Sequence, residues 1–138
     1  MKTIIVGLDG SEKSFRALAI AFTVAKQFAI GVETVSAEEL THFGETIDEV
    51  CAEKAVEDSR FREAIGRAHE AANVAGVALK SHIVCGSHVK AILRFLSERK
   101  ADLLVIGSME HGAAYEALTH STCLALLRAS PCPVLMVK

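Results

Sequence analysis

Apolar residues fall along this chain in two kinds of run. The first kind is short and continuous: residues 2–8, closed by Asp9-Gly10-Ser11, then Leu103-Leu104-Val105-Ile106-Gly107, and finally Val134-Leu135-Met136-Val137. Runs of this length, rich in Ile, Val and Leu, predict strands buried on both faces, as parallel sheets require. Ala78 to Cys85 reads as another strand, and Gly31 to Ala37 as a fainter one interrupted by Glu33 and Thr34. The second kind recurs at helical spacing. Phe15, Leu18, Ala19, Phe22, Ala25 and Lys26 predict a helix capped by Ser11 and ending near Phe28. Val50, Phe61, Ile65, Ala68 and Ala72 predict a long helix over 48–75, stopped by Gly76. After the turn Gly86-Ser87, Val89, Ile92, Leu93 and Leu96 stripe a third helix, and 121–129 form a fourth before Pro131-Cys132-Pro133. Residues 38–47 are polar and irregular, a loop or short accessory turn, and 108–120 are a long loop.

Strand and helix alternate throughout. That order predicts an α/β fold: parallel strands joined by right-handed helical crossovers, with helices on both faces. No linker, repeat or low-complexity tract divides the sequence, so one domain over 1–138 is expected. The 138 residues are 51% hydrophobic and 23% charged, enough to build a core without disulfides or metal. The net charge of -2 and the absence of any Lys/Arg run argue against a nucleic-acid surface. Trp is absent and aromatics make up 5%, so stacking platforms for single strands are not expected either. The sequence shows no export signal and no apolar run of bilayer length, which points to the cytoplasm and to no membrane partner. Cys51, Cys85, Cys123 and Cys132 lack CxxC spacing and read as reduced thiols packed as small hydrophobes.

In an open α/β sheet, ligands bind outside the carboxyl ends of the strands, near the point where strand order reverses. Three segments end there: Gly7-Leu8-Asp9 on strand one, the region near Val35 on strand two, and Ile106-Gly107-Ser108 on strand four. The loop after strand four is the part able to reach over a ligand.

These segments carry a resemblance. Ile4-Ile5-Val6-Gly7-Leu8-Asp9-Gly10-Ser11, Ala101 through Ser108, and Ser121 through Lys138 resemble, in order, the opening strand, the fourth strand with its nucleotide loop, and the C-terminal helix and strand of the universal stress proteins. The resemblance implies a single-domain open parallel five-stranded sheet of order 3-2-1-4-5. This is an adenine nucleotide alpha hydrolase-like, flavodoxin-like topology. It also implies a homodimer paired through the last strand, Val134, Leu135, Met136 and Val137. An apolar edge strand invites such pairing on physical grounds as well.

ATP-binding members of that family carry a glycine, two residues, a second glycine, nine residues, and a third glycine followed by Ser or Thr. The glycines let backbone N–H groups approach the phosphates. Here Gly107 fills the first position, but Glu110 and His120 replace the other two, with Ser121 and Thr122 following. A carboxylate at ~4 Å from a phosphate charge, at an effective dielectric of ~20, opposes binding by about 4 kcal/mol. Mg²⁺ bridging the two reverses the sign, and a Glu110 turned to solvent removes the effect. His120 fits a helix cap or, when protonated, a phosphate partner. Gly112 offers flexibility from a shifted position. The resemblance assigns Asp9 to the ribose or adenine side, while helix capping is an equal alternative. It assigns the Val35 backbone to adenine, in an alignment that allows a shift of one. Ser121 fits either phosphate or its own helix as a cap.

The spacing of His88, Glu110, His111, His120 and Cys123 matches no standard zinc pattern, so no metal site is assigned. No Walker loop or Gly-x-Ser-x-Gly elbow appears, and no catalytic residue is named. Two functions remain open. The favoured one is a dimeric, cytoplasmic stress-response protein with weakened or lost ATP binding, acting through a protein partner. The alternative is a sensor of an adenine nucleotide (ATP, ADP or AMP, with or without Mg²⁺), built on Gly7, Leu8, Asp9, Val35, Ile106, Gly107, Ser108 and the loop beyond. A weak ATPase is a distant third.

Overall fold

Five of the apolar runs become strands, and the helical stripes between them become the crossovers. The computed structural model of the chain describes residues 1–38, 47–108 and 123–138, with the backbone alone for 47–60. In chain order these form β1 (Ile4–Gly7), α1 (Glu12–Phe28), β2 (Val32–Glu38), α2 (Ile47–Ala75), β3 (Leu79–Cys85), α3 (His88–Arg99), β4 (Leu103–Gly107), α4 (residues 123–129) and β5 (Val134–Val137). The strands pair in parallel in the order β3-β2-β1-β4-β5.

Side chains of successive strand residues point to opposite faces, so each central strand feeds two cores. Ile4, Val6 and Leu8 of β1 and its end pack with α1 and α2. Ile5, with Val35, Leu104 and Ile106, packs instead with Ile92, Phe95 and Leu96 of α3 and Leu126 of α4. The helices before the order reverses lie on one face and those after it on the other, which puts the switch point between β1 and β4.

The helix stripes differ from the predicted ones in detail. On α1, Ala19 and Lys26 are exposed, while Ala17 and Ala21 are fully buried beside Leu18, Phe22 and Ala25. The stripe 17-21-25 is therefore all alanine, and small side chains let a helix axis sit close to the sheet. On α2, Phe61, Ala64, Ala68 and Ala72 are buried, and the helix ends at Ala75 with Gly76 at φ 71 as its left-handed stop. On α3, Phe95 joins the predicted Ile92 and Leu96 in the core.

Strand two covers Val32–Glu38, one residue further along than the expected Gly31 to Ala37. Val35, expected near its carboxyl end, lies mid-strand, opposite Gly7. Glu33 and Thr34 do not break it, because each finds a partner. Thr34 Oγ1 donates to Ser81 Oγ at 3.0 Å, and Glu33 Oε1 meets His82 Nε2 at 2.8 Å and the guanidinium of Arg99. Glu38 is no loop residue: it ends β2 as a buried side chain, with Cys85 Sγ 3.7 Å from its Oε2. Cys85 itself is exposed, contrary to the expectation of a packed thiol, whereas Cys123 and Cys132 are half-buried against the α3 face of the sheet. All three described cysteines are free thiols.

Candidate functional site

The sheet reverses its strand order between β1 and β4, and of the candidate residues Gly7, Leu8, Asp9, Ile106, Gly107 and Ser108 lie at the carboxyl ends of those two strands. β1 and β4 run in register from Ile4↔Leu103 to Val6↔Val105, so Leu8-Asp9 and Gly107-Ser108 leave the sheet side by side.

Leu8 is anchored on the β2 side through both of its backbone groups. Its N–H donates to Val35 O at 3.0 Å, and its carbonyl accepts from the buried Ser36 Oγ at 2.7 Å. The Val35 carbonyl is thus occupied by a sheet hydrogen bond, and its side chain lies in the α3-side core. Ser36, one residue further along, fixes the end of β1 and was not singled out from the sequence. Its neighbours Thr34 and Glu38 are polar as well, so nothing in the local sequence sets Ser36 apart. Ile106 is likewise buried in that core.

Asp9 opens the turn into α1. Its Oδ1 accepts from Ser11 N at 2.9 Å, closing an Asx turn that presents Ser11 as the helix cap. Ser11 Oγ then accepts from Ser14 N at 3.2 Å. Helix capping is therefore part of what Asp9 does.

The first turn of α1 separates two charges. Glu12 is held bidentately by Arg67 of α2, with Nη1–Oε1 2.9 Å and Nη2–Oε2 3.3 Å. The Arg67 guanidinium holds the Glu12 carboxyl below its ordinary range, is itself raised in return, and stacks over Phe15 at 4.0 Å. Lys13 goes the other way. It is half-buried, and its Nζ lies 3.4 Å from Ser108 Oγ, just past the end of β4. Ser108 is in turn held to β5 by its N–H, which donates to Val137 O at 2.7 Å.

Gly107 has a role that needs no ligand. A Cβ built on it would stand 2.5 Å from the backbone C and O of Lys13. The alanine stripe lets α1 approach so closely that only a glycine fits where its first turn crosses β4. The sequence reading counted Gly107 toward phosphate binding, but its position is also fixed by helix packing. Lys13 was missed because a helix-start lysine looks solvent-facing in one dimension. The readable signal is that it stands one turn ahead of the Ala17-Ala21-Ala25 stripe, on the face of α1 that meets the sheet.

The remaining predicted residues, Glu110, Gly112, His120, Ser121 and Thr122, lie outside the described residues, as does His111. Among the described residues no three of His, Cys, Asp and Glu come together as a metal set. Among them, too, no helix is long and apolar enough to cross a membrane.

A family model described as the universal stress protein family matches residues 1–138. The chain belongs to that family. Its sequence is 30% identical over 140 residues to a universal stress protein of Thermus aquaticus, covering 99% of this chain and 98% of the relative. Its fold superposes on the universal stress protein UspA from Lactobacillus plantarum with a TM-score of 0.83 at 17% identity, covering 99% and 97% of the two chains. A solved universal stress protein in complex with cAMP is 27% identical, with a TM-score of 0.74 and the same coverage of 99% and 97%. The strand order expected from the resemblance is the one observed.

Proposed function

We propose that this universal stress protein responds to an adenine nucleotide and takes a mononucleotide, such as AMP or cAMP, in preference to ATP. The observation behind it is the pair of strand ends, Leu8-Asp9 and Gly107-Ser108, side by side where the strand order reverses. That is where an open α/β sheet offers a ligand crevice. The relative solved with cAMP supports a single-phosphate ligand for this fold. Glu110 and His120, where ATP-binding members have glycines, weigh against a polyphosphate. Each added phosphate brings charge that a nearby carboxylate opposes, so ATP suffers most unless Mg²⁺ bridges the two.

The reading extends to assembly and place. β5 stands at the end of the strand order with Leu135 exposed, and a homodimer through Val134–Val137 is the arrangement it favours. The protein then works in the cytoplasm, passing its nucleotide state to a protein partner rather than catalysing a reaction.

Calorimetric titration of nucleotide-free protein with AMP, cAMP, ADP and ATP, each with and without Mg²⁺, tests this. Without Mg²⁺, AMP or cAMP should bind at least about tenfold more tightly than ATP, a difference of about 1.4 kcal/mol. Affinities in the order ATP, ADP, AMP would sink the mononucleotide preference. No binding of any nucleotide would return the protein to a purely protein-interacting role.

A further inference from the structure

We infer that Lys13 is the residue that reads the nucleotide's phosphate, taking over from the missing loop glycines. The inference rests on the mononucleotide reading above. In the family's ATP-binding pattern, phosphates meet backbone N–H groups that glycines leave accessible, and two of those three glycines are replaced here by Glu110 and His120. A chain that still binds an anion at this edge needs another donor, and the described residues supply one.

Lys13 is brought there by packing, and three observations fix its place. Its backbone is clamped against Gly107, where even a Cβ would stand 2.5 Å from its carbonyl group. Its Nζ lies 3.4 Å from the Oγ of Ser108, at the carboxyl end of β4 beside the switch point. Its acidic neighbour Glu12 is drawn off toward α2 by the two-pronged Arg67 contact, so the helix start does not present both charges to the same side. A half-buried ammonium and a hydroxyl next to two strand ends form a donor pair suited to one phosphate group. Lysine binds phosphate as a compact charge and needs no loop geometry to do so. A triphosphate has more charge than one ammonium answers, which agrees with the preference proposed above.

The test crosses a residue with a ligand group. Full-length wild type, Lys13→Met and Lys13→Arg are each titrated with AMP and with adenosine, which lacks the phosphate. Lys13→Met should weaken AMP about ten- to hundredfold, the range for a charge-assisted hydrogen bond, and leave adenosine unchanged. Lys13→Arg should retain most of the AMP affinity, and the salt dependence of AMP binding should flatten in Lys13→Met. Unchanged AMP affinity in Lys13→Met overturns the assignment and leaves the mononucleotide reading standing. An equal loss for AMP and adenosine also overturns it, because the side chain is then shaping the site and not reading the phosphate. Wild type that binds neither ligand overturns both.

Discussion

At the carboxyl ends of β1 and β4 the described side chains with chemistry are few: Asp9, Lys13 and Ser108. On β2 and β3, beside β1, the polar groups are dense. Glu33, His82 and Arg99 tie β2, β3 and α3 together on one face, with the His82 ring 4.9 Å from Phe95. On the other face, Thr34, Ser81 and His69 form a chain of contacts at 3.0 and 3.2 Å. A reader searching for chemistry by residue type would choose the second region. Its groups, however, satisfy one another across strands and helices, which is how a polar residue is accommodated inside a sheet. The first region is shaped by main-chain packing and keeps its few polar groups at the edge. Density of reactive residue types thus marks the scaffold here, and position at the strand-order reversal marks the candidate site.

The largest effect is expected where the two roles of one residue overlap. Gly107→Ala places a Cβ against the Lys13 backbone, which can move only by displacing α1. Overpacking of this kind destabilises by about 3 kcal/mol, visible as a lower urea midpoint with no nucleotide present. If the ligand-free midpoint is unchanged and only nucleotide affinity falls, the glycine serves the ligand, and the contrast between packing and polar regions fails.

Next in size is Glu33→Ala. Its carboxylate is 14% exposed and serves both His82 and Arg99, whose side chains are 30% and 41% exposed. Removing a shared, mostly buried acceptor leaves two donors facing the gap, at about 1–2 kcal/mol. The residue lies in the first half of β2, away from the carboxyl edge, so AMP affinity should not change. A stability loss accompanied by a large loss of AMP affinity would show that the two regions are coupled.

These cases explain what one dimension could and could not show. β1, β4 and β5 were legible because continuous apolar runs have few other uses in a chain of this length. The β4 bounds at Leu103 and Gly107 coincide with those expected, since Asp102 and Ser108 flank the run. The carboxyl end of β2 was placed near Val35 because Thr34, Ser36 and Glu38 look like a polar exit. Their partners, Ser81, the Leu8 carbonyl and Cys85, are distant in sequence. The same limit hid Lys13: its meaning depends on Gly107, which is near only after α1 folds back over β4. Gly107 itself was easy to notice and hard to interpret, because a close helix and a close phosphate demand the same residue type.

The smallest effect tests whether acid sensitivity belongs to the site at all. Asp102 lies just before β4, at the opposite end of the strands from Ser108. Its Oδ2 accepts from the backbone N–H of Lys2 at 2.8 Å and of Thr3 at 2.9 Å, tying the start of β1 to β4. Those two hydrogen bonds favour the charged form and hold the carboxyl below its ordinary range. The unfolded chain therefore binds the proton more readily than the folded one. The contribution is complete above the unfolded value of about 4 and is lost as pH falls through the lower folded value. Asp102→Asn keeps an oxygen acceptor but drops the charge, so it should lower the melting temperature slightly at pH 7. The gap to wild type should close progressively below pH of about 4, while AMP affinity at pH 7 stays the same. A gap that persists unchanged into acid would mean that the lost charge is not the cause. A fall in AMP affinity would mean that the amino end of these strands controls the geometry of their carboxyl end.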